Sequence, residues 1–201
     1  MTVRFAPVFA LTAAAFATVA LTPVASAQFG RTEVSRPDVD EIYADKAMKN
    51  EWYDQALERY SATCNDKTRS KETWARNCFK LGNLYRKGQG VPQDYDVARS
   101  LFDEACLTGR NADACMQQAY ISFEDNDGAH DYTHARALYK QACELGNQTG
   151  CGGYGSMLYR GQGGPMDREK GKDYLQNACA AEDSWSCDRV RGYGLPERRG
   201  L

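Results

Sequence analysis

Two patterns of apolar and polar positions alternate along residues 50–193. The first runs DYDVARSLFDEAC (94–106), DYTHARALYKQAC (131–143) and DREKGKDYLQNAC (167–179). A small residue stands eight positions ahead of each closing cysteine (Ala56, Ala98, Ala135, Gly171), and a bulky one four ahead of it (Tyr60, Phe102, Tyr139, Leu175). Spacings of four and eight return to one side of an α-helix. Asp94, Asp131 and Asp167 precede the small residue by four, where an N-cap accepts a backbone N–H. The second pattern starts four residues before its own cysteine, with Asn111, Asn147 or Asp183 as cap, and continues CFKLGNLYRKG, CMQQAYISFED and CGGYGSMLYRG. Here small residues recur four after the cysteine (Gly82, Ala119, Gly155) and apolar ones six after it (Leu84, Ile121, Met157). These are two helix types, A and B, and B stops at Gly88 or Gly161 as a C′ glycine stops a helix.

The turns between them repeat as well. GQGVPQD (88–94) and GQGGPMD (161–167) leave helix B and enter the next helix A. Glycine permits a left-handed turn, proline blocks continuation and aspartate caps the new start. The corresponding middle turn, DNDGAHD (125–131), has lost the proline but keeps a glycine and the aspartate, so the register is expected to hold. The pattern predicts an all-α solenoid of four helical hairpins over 50–194. Upstream, 38–49 reads as one extra helix with Asp38 and Glu41 as a capping box, placed to cap the open N-terminal end of the stack. Residues 28–37 read as a linker and 195–201 as a tail.

The first 27 residues change the compartment rather than the fold. A basic start (MTVR), an apolar run and Ala25-Ser26-Ala27 form a secretory leader with cleavage expected before Gln28. No later segment is apolar enough to span a bilayer, so no membrane insertion is expected after cleavage. The net charge of −2 offers no electrostatic footprint for nucleic acid.

Eight cysteines then acquire meaning. An even count in an exported chain reads as four disulfides. The cysteines form two series, 64, 106, 143, 179 and 78, 115, 151, 187, one on each helix type. Helix A carries its cysteine near its C-terminal end and helix B near its N-terminal end. In an antiparallel hairpin those ends are neighbours, within the Cα separation a disulfide needs. Periodicity therefore pairs Cys64 with Cys78, Cys106 with Cys115, Cys143 with Cys151 and Cys179 with Cys187. Each closure is worth roughly 2.5–3 kcal/mol in the chain-entropy model. Zinc is disfavoured by the absence of Cys-x2-Cys spacing, and His130 with His134 straddles a helix start without an evident third ligand. No metal and no cofactor is expected.

The pattern A-x7-C, then C-x3-G-x-L-Y-x2-G-x-G-V-x2-D, resembles the Sel-one-like repeat (SLR), an α/α relative of the tetratricopeptide repeat. The cysteine pair in every repeat is most similar to the secreted, cysteine-rich Hcp-type SLR proteins of bacteria. Departures exist: Cys64 and Cys78 stand 14 apart, so the first hairpin is given a longer connection, NDKTRSKETWARN, and the middle repeat lacks Leu-Tyr. The resemblance implies a monomeric, non-catalytic scaffold for an unidentified protein or envelope component. Candidate face residues are the helix A positions off the buried stripe: Arg99, Ser100, Asp103 and Glu104, then Arg136, Lys140 and Gln141, then Lys172, Asp173 and Gln176. The resemblance also brings an alternative, β-lactam hydrolysis or penicillin binding. That chemistry wants Ser-x-x-Lys, which is absent; Thr68-Arg-Ser-Lys71 has the spacing with another nucleophile, in the first connection.

Overall fold

The computed structural model describes residues 38–124 and 130–197. The expected leader 1–27 and linker 28–37, most of the middle turn and the last four residues of the expected tail lie outside the described residues. Among the described residues there are nine helices and no strand: α1 (Val39–Lys49), α2 (Tyr53–Asn65), α3 (Lys71–Lys87), α4 (Tyr95–Leu107), α5 (Ala112–Glu124), α6 (Tyr132–Glu144), α7 (Gln148–Arg160), α8 (Arg168–Ala180) and α9 (Ser184–Gly192). Helices α2, α4, α6 and α8 are type A; α3, α5, α7 and α9 are type B. Each packs on its neighbours in sequence, so the chain is a solenoid of four hairpins preceded by α1.

The caps carry the register. Asp94, Asp131 and Asp167 accept from backbone N–H groups in the first turns of α4, α6 and α8. Asn111, Asn147 and Asp183 do the same for α5, α7 and α9, at 2.8, 2.6 and 2.9 Å. Helices α3 and α7 end on Gly88 and Gly161, both left-handed. The second glycine of each GQG turn serves another purpose. A Cβ on Gly90 would sit 2.7 Å from the carbonyl carbon of Tyr53, and one on Gly163 2.0 Å from the oxygen of Tyr132. The turn thus lies against the start of the preceding helix A, and only a residue without a side chain allows it. The middle turn keeps the equivalent bond despite its altered sequence: Asp131 N donates to Ser122 O, as Asp94 N donates to Tyr85 O and Asp167 N to Leu158 O. The turns within hairpins repeat too, with Arg110, Gly146 and Glu182 all left-handed one residue before the cap.

Small residues fill most of the interior. Ala56, Ala98 and Ala135 are fully buried and Gly171 is buried, each at the predicted small position, while Tyr60, Phe102, Tyr139 and Leu175 supply bulk one turn on. Four disulfides join Cys64–Cys78, Cys106–Cys115, Cys143–Cys151 and Cys179–Cys187, with Cα separations of 4.8, 4.7, 4.3 and 4.6 Å. Each closes the end of a hairpin next to its own turn.

Two expectations are corrected. The extra residues of the first connection lengthen helix B instead of the loop: α3 begins at Lys71, capped by Ser70, which accepts from Thr73 N. Thr68 sits in the remaining turn and donates its hydroxyl to Asp66 Oδ1 at 2.6 Å. At the N-terminus, Asp38 caps α1 as read, accepting from Asp40 N, but Glu41 does not complete a capping box. Its buried carboxylate takes Arg76 Nε and Nη2 at 2.6 and 3.0 Å and Lys80 Nζ at 2.7 Å. Lys80 also reaches Asp45, which accepts from Tyr60 OH at 2.5 Å. Arg69 adds pairs with Asp38 and Asp40. Helix α1 is therefore fastened to α2 and α3 by an ionic network over a small apolar contact, Ala44 and Ala47.

Candidate functional site: a cleft across three type B helices

Helix α7 is the centre of this region, and its glycines explain why. A Cβ on Gly150 would lie 2.7 Å from that of Ala142 on α6; on Gly152, 1.9 Å from Ser186 Oγ on α9; on Gly153, 2.6 Å from the Tyr139 ring; on Gly155, 2.9 Å from Gly171 O on α8. One bare helix thereby touches α6, α8 and α9 at backbone range. Tyr193, beyond α9, folds back to stack on Tyr159 with ring centroids 4.7 Å apart and bonds Ser156 Oγ at 2.9 Å.

Where α5, α7 and α9 come side by side they leave a cleft of about 180 Å³. Met116, Tyr120 and Phe123 from α5, Tyr139 from α6, Met157 from α7 and Trp185 from α9 give it apolar and aromatic walls. Tyr120 is 48 % exposed. Burial raises the Tyr139 hydroxyl well above its ordinary value, with the neighbouring Tyr120 and Glu124 adding to the effect. It is a neutral group at physiological pH. The polar groups of the lining lie chiefly at the rim: Glu124 at the end of α5, and Arg160 and Arg189 on α7 and α9. Arg189 rests over the Trp185 ring, 4.8 Å from its centroid. The volume falls below the roughly 300–1,000 Å³ in which drug-sized ligands sit. It suits a side chain.

The helix A residues offered as a face are dispersed. Lys140 and Gln141 line a shallow depression with Arg110 and Glu144. Arg99 and Lys172 stand near Asp96 and Glu169 of their own helices, at 3.8 and 3.6 Å. Arg136 is engaged in structure, donating to the carbonyls of Gln162 and Pro165 at 3.3 and 3.0 Å and so holding the α7–α8 turn. Asp103 is partly withdrawn; burial raises its carboxyl against the pull of His134 and Arg99. Gln176 is no surface residue. It is 3 % exposed, and its amide donates to Pro196 O because the C-terminal segment folds over it. His130 and His134 are likewise occupied locally: His130 Nδ1 bonds Phe123 O at 2.8 Å and its ring stacks on Tyr132, while His134 N is capped by Asp131.

Tyr139 and Met157 were visible as repeat positions, but Met116, Tyr120, Phe123 and Trp185 were missed because they lie on type B helices outside the recurring small and apolar positions. The signal available was compositional. Tyr120 and Phe123 stand where the first repeat has Asn83 and Arg86, and α7 carries two glycines, 152 and 153, directly after its cysteine.

The profile of the Sel1 repeat matches residues 78–109, 112–147 and 150–183, half of the chain, each match running from a type B helix into the following type A helix. The chain belongs to the Sel1 repeat family. Its Sel1 repeats are similar to cytochrome c oxidase assembly factor 7 of mouse, 28 % identical over 132 residues, 62 % of this chain and 54 % of that protein. The human protein of the same name is 28 % identical over 134 residues, 63 % and 55 %. The chain thus spans about half the length of the curated relatives it matches. Among solved structures, a Sel1 repeat protein from Oxalobacter formigenes superimposes with a TM-score of 0.53 at 18 % identity, covering 76 % of this chain and 98 % of that one. A protective antigen of uropathogenic Escherichia coli with an SLR fold gives 0.56 at 21 %, covering 81 % and 38 %. These likenesses bear on the fold alone.

Proposed function

We propose that the chain is an exported, non-catalytic scaffold that holds a partner protein by inserting one of its apolar side chains into the α5–α7–α9 cleft. The cleft carries this reading: an apolar recess of side-chain size, built from three consecutive repeats and bordered by exposed Tyr120. Solenoids offer such extended surfaces in place of enclosed pockets. Relatives named as an assembly factor fit a scaffold better than a hydrolase. Four disulfides in 201 residues suit a compartment that oxidises thiols, the same compartment that the leader expected at 1–27 would reach. No helix among the described residues is long and apolar enough to cross a membrane.

The test is site-specific photocrosslinking in the producing cell, with a benzophenone side chain at Tyr120 or, as control, at Tyr95 on α4 outside the cleft. A discrete adduct from position 120 and none from 95 is the expected result. No adduct from 120 under any growth condition would overturn the cleft as a partner site. Sequencing the N-terminus of exported material checks the remainder, and it is expected to begin at Gln28.

A further inference from the structure

Charge at the rim of the cleft narrows the partner. Several guanidiniums of the molecule are taken up by carboxylates: Arg76 pairs with Glu41 and Glu72, Arg69 with Asp38, Asp40 and Asp66, Arg191 with Asp188 and Glu197. Arg160 and Arg189 are not. Both are exposed, they come from adjacent repeats, and they border the same apolar recess without an ion-pair partner among the described residues. Arg189 lies on the Trp185 ring, a cation–π contact that supplies no hydrogen-bond acceptor to its N–H donors. The one carboxylate in the lining, Glu124, stands on α5 and makes no ion pair there. The rim is therefore polarised, negative over α5 and positive over α7 and α9, with two guanidiniums against one carboxylate.

We infer that the occupant is a peptide segment in which a bulky apolar anchor is accompanied, on one side only, by aspartate or glutamate. This rests on the reading of the cleft as a partner site. The anchor enters between Tyr120, Met157 and Trp185; the acidic neighbour meets Arg160 and Arg189, where forked donors match a carboxylate. Glu124 rejects a second acid on the other side, which sets the direction in which the segment lies. Like-charge juxtaposition of that kind supplies discrimination more than affinity.

The experiment is selection of a random twelve-residue phage-displayed library against the full, oxidised chain, followed by titration of the best synthetic peptide by isothermal calorimetry. Wild type is expected to enrich Phe, Leu or Met with Asp or Glu within three residues on one side. Arg160→Glu with Arg189→Glu, both at exposed positions and checked for unchanged helicity, is expected to weaken that peptide about tenfold or more and to enrich Lys or Arg in a fresh selection. Enriched peptides that carry the anchor without an acidic neighbour, or that bind the charge-reversed chain equally well, would overturn this inference and leave the cleft standing. No enrichment at all, or peptides that Tyr120→Ala binds as tightly as wild type, would overturn the cleft itself.

Discussion

Replacing Gly171 by alanine sets two effects against each other at the α7–α8 junction. Helix propensity alone favours the change, since glycine inside a helix gives up about 1 kcal/mol relative to alanine. Contact opposes it. The new Cβ would lie 2.6 Å from Tyr159 N, 2.7 Å from Gly155 O and 2.9 Å from Tyr159 Cα, against optimal carbon separations of roughly 3.5–4.0 Å. All three obstacles are main-chain atoms, so no rotamer change clears the space and the helices must part. Overpacking costs about 1–3 kcal/mol. With rigid obstacles the upper end applies, and subtracting the propensity gain leaves a loss of about 2 kcal/mol. For a domain of this size that lowers Tm by about 4–8 °C. Gly192 supplies the control: it is also helical, yet a Cβ there meets nothing within 4 Å, so Gly192→Ala leaves Tm level or raises it. Thermal unfolding of the oxidised proteins, followed by circular dichroism at one scan rate, reads both. Equal rises in Tm for the two variants would refute the close-contact argument.

Three further outcomes follow from the same structure. Burial by itself raises the Glu41 carboxyl, but hydrogen bonds and charge from Lys80 and Arg76 carry it below its ordinary 4.5; stabilisation of this kind is present above the unfolded pKa and lost as pH falls through the folded one. The Tm gap between wild type and Glu41→Gln is therefore full at neutral pH and narrows below about pH 5, and a gap constant down to acid pH would contradict the ion-pair assignment. Replacing Cys106 and Cys115 by serine opens a loop with a sequence separation of 9; the expected loss is about 2.5 kcal/mol, or a Tm lower by about 5–10 °C, and an unchanged Tm would show that the staple does not restrain the unfolded chain. Arg136→Ala removes two donors from the α7–α8 turn at a cost of about 1 kcal/mol, seen as faster amide exchange over residues 162–167; lysine, which lacks the fork, should not restore protection.

What was legible in the sequence was whatever the repeat expresses locally. Small and bulky positions at spacings of four and eight, caps four residues ahead, and cysteines at facing hairpin ends all concern neighbours along one helix or across one turn. They led to α2–α9 and to the four disulfide pairs. Glu41 shows where that ends: at the third position of α1 it has the right type for a capping box, but its partners are 35 and 39 residues away on α3, and no local pattern encodes them. Gln176 was misplaced for a related reason, since its cover comes from Pro196, outside the repeat. Lys71–Trp74, the extra first turn of α3, has no helical counterpart in the other hairpins and so passed for part of a connection. The cleft lay furthest from view. Its walls come from three different repeats, and side chains of different repeats face each other only once the stack is built.

The placement of the disulfides also bears on how the chain is made. Every bridge joins cysteines 8 to 14 residues apart, and both members of a pair appear before either member of the next. A chain emerging from its N-terminus can therefore oxidise each hairpin as soon as that hairpin is out, with the correct thiol always the nearest one in sequence. Long loops close more slowly and at greater entropic cost than short ones, so the native pairing is also the kinetically favoured one. A solenoid built this way can be secured one unit at a time, without waiting for its C-terminus and with little need for reshuffling.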